Sequence, residues 1–296
     1  MNKTKIYSLL TSYSFIVPAL ILFAIFNIYT FFDLFRLSFM KSNGLAGSIE
    51  TFVGLQNYIE IFKDKVWWES VGRAAYITFL ALTLQNFVAL ILALFVDRGI
   101  RGETIYKVIF FLPPVLSGIV IGLIWEWIFD GNYGLLNHWL TLFHMEKFCR
   151  AWLADPKTAL YAIAFIHMWR GFGWGFVIFL AGLQNIDREL YEAADVDGAT
   201  WWPKFVHITL PLMVPVFVIV SILTILGTMQ IYDLIVSTTK GGPGYHTEVP
   251  ITRIIYSMTG SLNFGYASSQ AIVFGVILLI VSMTQIFVSN RLKKND

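Results

Sequence analysis

The chain has 296 residues, of which 57% are hydrophobic and 14% charged, with a formal net charge of +2 and a mean hydropathy of +0.67. Soluble domains carry about a quarter charged residues, so the composition points to an integral membrane protein and away from a nucleic-acid binder or soluble enzyme. The single Cys149 excludes an intrachain disulfide and any cysteine cluster for zinc or iron–sulfur.

Six stretches are apolar enough, over about 20 residues each, to cross a bilayer. They run roughly 13–34, 74–96, 108–129, 158–183, 208–232 and 267–288. The runs are continuous rather than alternating, which predicts helices and not barrel strands. The first is too long for a signal-peptide core and has no small-x-small site behind it, so it is read as a retained helix. Placing both termini inside puts Lys3, Lys5, Arg98, Arg101, Lys107, Arg188, Lys204, Arg291, Lys293 and Lys294 on the inner face. Basic residues are then about twice as dense inside as outside, the bias expected of cytoplasmic segments. The expected fold is an all-α polytopic protein, one transmembrane domain over 1–296, with six spans and an N-in, C-in orientation.

Along the second span, Gln85 and Asn86 sit midway, where amides serve as interhelical glue. In the third, Pro113 and Pro114 break the start, and Glu126 lies near the outer end between Trp125 and Trp127. Those tryptophans, with Trp67, Trp68, Trp139 and Trp152, read as an aromatic belt at the headgroups. Short amphipathic helices forming an external docking surface are the alternative. In the fourth span His167, Arg170, Gly171 and Trp174 fall at i, i+3, i+4 and i+7, one helical stripe. An ionisable residue at that depth reads as functional by default. A flat ring, hydrogen-bond donors and a glycine suit a sugar path. Packing remains the other reading: Gly171 and Gly175 form a small-xxx-small pair, and Arg170 would pair with an acid such as Glu126 or one on a partner chain.

Between the fourth and fifth spans, about 184–207, the chain turns polar. Asp187 is placed to cap a helix ending near Val196, Gly198 to stop it in the left-handed region, and Thr200 to cap a second helix with Pro203 in its first turn. Glu189, Glu192 and Asp195 give the first helix an acidic edge beside Leu190, Ala193 and Ala194. Such a knuckle suits a protein cleft with basic groups and is repelled by anionic headgroups. In the fifth span Thr224 and Thr228 share a face. The following TTKGGPGYHTEVP is a turn-rich outer loop, flexible or tightly turned.

Glu192-Ala193-Ala194, then Asp197-Gly198-Ala199, then Ile208, Leu210 and Pro211 together resemble the EAA signature of binding-protein-dependent ATP-binding-cassette importer permeases. The stretches VGLQNYIEIF, FFLPPVLSG, WRGFGWGFVIFLAGLQNI, TTKGGPG and FGYASSQAI are similar to the sugar branch, the maltose-type larger-permease group. The resemblance implies the transmembrane domain of a type I importer in a bacterial or archaeal inner membrane. It implies a second homologous permease, two ATPase subunits that hold ATP and Mg, and an extracytoplasmic solute-binding protein, with no cofactor on this chain. It seats Glu192, Ala193, Ala194, Asp197 and Gly198 against the ATPase, and puts His167, Gly171, Trp174, Thr224 and Thr228 along the solute path. His167 stands where relatives often carry an amide, and Arg170 is bulky for a neutral sugar. Either feature could favour a more polar or anionic saccharide, and the solute stays open among a maltodextrin or other neutral oligosaccharide, a sugar acid and a glycerophosphate-type molecule. The sequence has no G-x-x-x-x-G-K-[ST] phosphate loop. A stand-alone secondary transporter would want intramembrane acids and gives the acidic knuckle no job. A membrane enzyme would want a cluster, and the five histidines are scattered.

Overall fold

A computed structural model describes residues 16–45 and 47–292, the side chains of 288–292 excepted. Residues 13–15 of the first predicted span, and the terminal lysines used for orientation, lie outside the described residues. In chain order the elements are α1 (Ile16–Ser38), β1 (Met40–Lys41), β2 (Thr51–Phe52), α2 (Gln56–Lys63), α3 (Lys65–Asp97), α4 (Glu103–Val115), α5 (Gly118–Ile128) and α6 (Leu135–Leu142). There follow α7 (Ala159–Gln184), α8 (Arg188–Val196), α9 (Trp201–Leu212), α10 (Val214–Met229), α11 (Asp233–Thr238), α12 (Pro250–Thr259) and α13 (Phe264–Leu292). α1, α3, α7 and α13 are each long and apolar enough to cross a membrane; counting the bent pairs α4–α5 and α9–α10 as one crossing each gives six.

The third and fifth predicted spans are therefore not continuous helices. α4 and α5 meet at 96° and α9 and α10 at 62°. The first break falls just after Pro113 and Pro114, at Leu116 and Ser117, whose ψ angles of 144° and 136° are extended. The prolines lie in the last turn of α4, so the carbonyls a turn earlier lose their partners. α7 accommodates the Phe110 carbonyl at Gly173, where a Cβ would overlap it. Trp67 is fully buried at the start of α3, which corrects its reading as a headgroup anchor; the second span runs nine residues further back than the apolar run.

Two compact units divide the chain: residues 1–64 with 254–276, and 65–253 with 277–296. In the first, β1 and β2 pair antiparallel, Met40 opposite Phe52. The buried Asn57 amide donates to the carbonyls of Ser38 (2.9 Å) and Met40 (3.0 Å), and Tyr266 donates to the Asp64 carboxylate at 2.7 Å. In the second, α3 and α7 pack closely around Ala89, Ala93, Phe176, Phe179 and Leu183, with Met213 and Val220 closing the core. Small residues on α3 let the two helices approach, the route to association where lipid removes the hydrophobic drive. The loop after α11 is tightly turned: Thr239 and Thr247 hydroxyls lie 2.7 Å apart, and Thr247 donates to the Gly242 carbonyl at 2.6 Å.

Candidate functional site

Where α3, α7 and α10 meet, a cavity of about 470 Å³ opens. His167, Arg170, Gly171, Trp174, Thr224 and Thr228 all line it, from two helices about fifty residues apart in sequence. The i, i+3, i+4, i+7 spacing turns the α7 stripe inward as one face. Gln85 joins them from α3. It ends a π-helical segment, Ala81–Gln85, a local widening that is frequent at functional sites. A larger groove of about 790 Å³ lies between α10 and the later turns of α13, but its walls are mainly aliphatic, Leu210, Val214, Val218 and Ile280 among them. It offers lipid-like surface rather than recognition chemistry.

The polar atoms of the cavity are unequally satisfied. Thr224 donates its hydroxyl to the Val220 carbonyl (2.8 Å) and lies 3.2 Å from Asn86 Oδ1. Thr228 donates to the Thr224 carbonyl and is fully buried, so it shapes the wall from behind. With its proton spent, Thr224 can only accept from a solute. Asn86 is the interhelical amide. Gln85 is not: its Oε1 is buried without a hydrogen-bond partner among the described residues, as is His167 Nδ1. Such orphans cost about 1–3 kcal/mol each when nothing fills the site. Gly171 makes room for the glutamine, since a Cβ there would fall 2.5 Å from Gln85 Oε1. Trp174 is half exposed, its edge held by Phe111 at 5.1 Å and 87°.

Arg170 does not pair with Glu126. Its Nη1 donates to Asp233 Oδ2 at 2.9 Å, across 63 residues of chain. Asp233 starts α11, and Gly118 at the start of α5 packs against both partners; a methyl at 118 would overlap the carboxylate and the guanidinium. Sequence reasoning had no signal for the pairing of Arg170 with Asp233. Gln85 was visible as a mid-span amide, and only the approach of Gly171 reveals which way it serves.

The connecting segment forms an elbow of α8 and α9. Asp187 Oδ1 accepts the Glu189 N–H at 3.1 Å, capping α8. At its other end Gly198 takes φ +77°, with Ala199 N–H donating to the Ala194 carbonyl (2.8 Å) and Gly198 N–H to that of Asp195 (3.0 Å). That pair of bonds is the Schellman stop, which needs a left-handed residue. Thr200 stands at the start of α9 without a side-chain capping bond. Lys204 binds Asp195 at 2.6 Å and Tyr191 meets Thr209 at 2.8 Å, clasping α8 to α9. One acid of the predicted edge is thereby neutralised. Glu189, Glu192, Ala193, Asp197 and Gly198 remain exposed, with Ala194 half-buried. Arg98 lies 5.8 Å over the Trp201 ring, tying the turn after α3 to the elbow.

An apolar helical assembly with a polar cavity inside it and an acidic elbow at one end is built as a membrane transport subunit. Residues 85–294 match the family described as binding-protein-dependent transport system inner membrane component, and the chain belongs to that family. It is a multi-pass membrane permease of a binding-protein-dependent importer, and not an enzyme. Among its relatives is YurN of Bacillus subtilis, named as an ABC transporter permease, 32% identical with 96% of each chain covered. The arabinooligosaccharides transport system permease AraP of Bacillus subtilis is 31% identical, over 95% of this chain and 89% of that one. The crystal structure of a bacterial ABC transporter that imports the acidic polysaccharide alginate superposes with a TM-score of 0.85 at 20% identity, covering 97% of this chain and 98% of that one. That likeness establishes the shared fold.

Proposed function

We propose that the chain forms half of the translocation path for a saccharide, with Gln85, His167, Arg170, Gly171, Trp174 and Thr224 facing the solute and Thr228 behind them. The observation that carries this is the convergence of unpartnered polar atoms, Gln85 Oε1 and His167 Nδ1, with an exposed indole in one cavity. Hydroxyls both donate and accept, and a sugar ring has an apolar face for Trp174. The relatives' names agree, since AraP is named for arabinooligosaccharides. A second, homologous permease completes the cavity, and an external solute-binding protein delivers the solute. The chain crosses the membrane six times with both termini inside, counting α4–α5 and α9–α10 as single crossings. The elbow then faces the cytoplasm and seats Glu192, Ala193, Ala194, Asp197 and Gly198 on one of two ATPase subunits, which hold ATP and Mg. Glu192 supplies the ion pair and Gly198 the turn.

The test is to identify, by mass spectrometry, the solute carried by the co-purifying binding protein, and to measure its uptake into proteoliposomes containing the complete importer. A saccharide is expected, and Trp174→Ala should lower its uptake by ~tenfold or more, the loss of one stacking surface. A non-saccharide solute, or full uptake by the variant, would overturn the proposal.

A further inference from the structure

Among the described residues, the lining of the cavity includes one permanent charge, Arg170, and no carboxylate. Taken alone, a guanidinium at membrane depth would draw an anion. The structure supplies the counter-charge from a residue outside the lining. Asp233 lies outside the lining, yet its Oδ2 holds Arg170 Nη1 at 2.9 Å. Its other oxygen accepts the Leu234 N–H at 2.9 Å, and Gly118 closes against the pair with no room for a side chain. The carboxylate is thus fixed in place, and a solute anion would have to displace it to claim the arginine.

We propose that Asp233 sets the charge selectivity of the path, so that it accepts a neutral polyhydroxylated saccharide and rejects an acidic one. This rests on the saccharide reading above. The remaining guanidinium N–H groups, which make no other hydrogen bond among the described residues, donate to hydroxyls. Gln85 Oε1 and the Thr224 hydroxyl oxygen accept from hydroxyls. A carboxylate accepts only, so it would meet those oxygens as repulsive neighbours and find the one cation already neutralised. The fold itself does not decide the matter, because a chain of the same fold belongs to an importer of the acidic polysaccharide alginate. The side chains around the cavity decide it.

The test is equilibrium dialysis of radiolabelled α-1,4-galactotriose and α-1,4-trigalacturonate, which differ in the oxidation of C6. They are dialysed against the complete importer in nanodiscs, with the binding protein left out so that its own selectivity does not enter. Wild type should retain galactotriose ~tenfold or more over trigalacturonate, and Asp233→Asn should shift that ratio toward the acid by ~tenfold or more, as freeing one partly exposed cation from its counter-charge does. The double variant Arg170→Gln with Asp233→Asn should restore the neutral preference. If both sugars bind wild type equally, or Asp233→Asn leaves the ratio unmoved, the charge selectivity is wrong and the saccharide reading stands. If neither sugar binds wild type, the saccharide reading fails and takes this inference with it. Should Asp233→Asn fail to assemble, the wild-type ratio and the double variant still decide.

Discussion

At the residue scale, Gln85 shows how a group can be costly to the resting protein and useful to its work. Its acceptor is buried with no partner among the described residues, a penalty that a solute hydroxyl would relieve. Gln85→Leu keeps the volume and removes the orphan. The variant should melt at the same or a higher temperature, gaining up to ~1–3 kcal/mol, while solute affinity falls. A purely structural glutamine would give the reverse, a lower melting temperature with transport intact. Differential scanning fluorimetry of the assembled importer, paired with uptake, separates the two. The residue also marks where sequence reading stops. Position 85 is legible as an amide inside a span; its approach by Gly171 is not, because that depends on how α3 and α7 are registered against one another. Asp233 is the same case at longer range. Nothing local to it announces an arginine 63 residues away.

Among the elements, the breaks carry the site. α5 begins at Gly118 because Leu116 and Ser117 are extended, and its first turn lies against Asp233 and Arg170. A side chain there has nowhere to go. Gly118→Val should push α11 away, break the ion pair and leave two partly exposed charges unpaired. The expected cost is ~1–3 kcal/mol of stability, the range for losing a charged hydrogen bond, with a fall in uptake. Unchanged melting and uptake would show that α5 yields freely and that the contact is incidental. The prolines made a break at this span readable, since a missing N–H is a local fact. Its angle of 96° was not, because the angle is set by what α5 packs against. The elbow lies at the opposite extreme. Asp187 and Gly198 determine both ends of α8 through contacts within a few residues, so its boundaries followed from the sequence alone. The Lys204–Asp195 and Tyr191–Thr209 clasps, made between two helices, escaped it.

For the whole molecule, the proposed solute site and the proposed seat of the ATPase lie on different elements. The cavity holds recognition groups, and the elbow holds exposed acids and alanines with no such chemistry. Apolar runs and basic residues in loops make the spans legible, since both follow from what lipid tolerates. Trp67 was misread for the same reason: composition says aromatic near a span end, and only packing says buried. The most direct test of the central claim is Glu192→Arg in the complete importer, read as ATP-driven uptake into proteoliposomes beside co-purification with the ATPase. Reversing one charge of a buried interfacial pair costs ~2–5 kcal/mol. Uptake should therefore fall at least tenfold and the ATPase should detach, while the chain stays in the membrane. Uptake at the normal rate with the ATPase retained would contradict the elbow's role in driving transport.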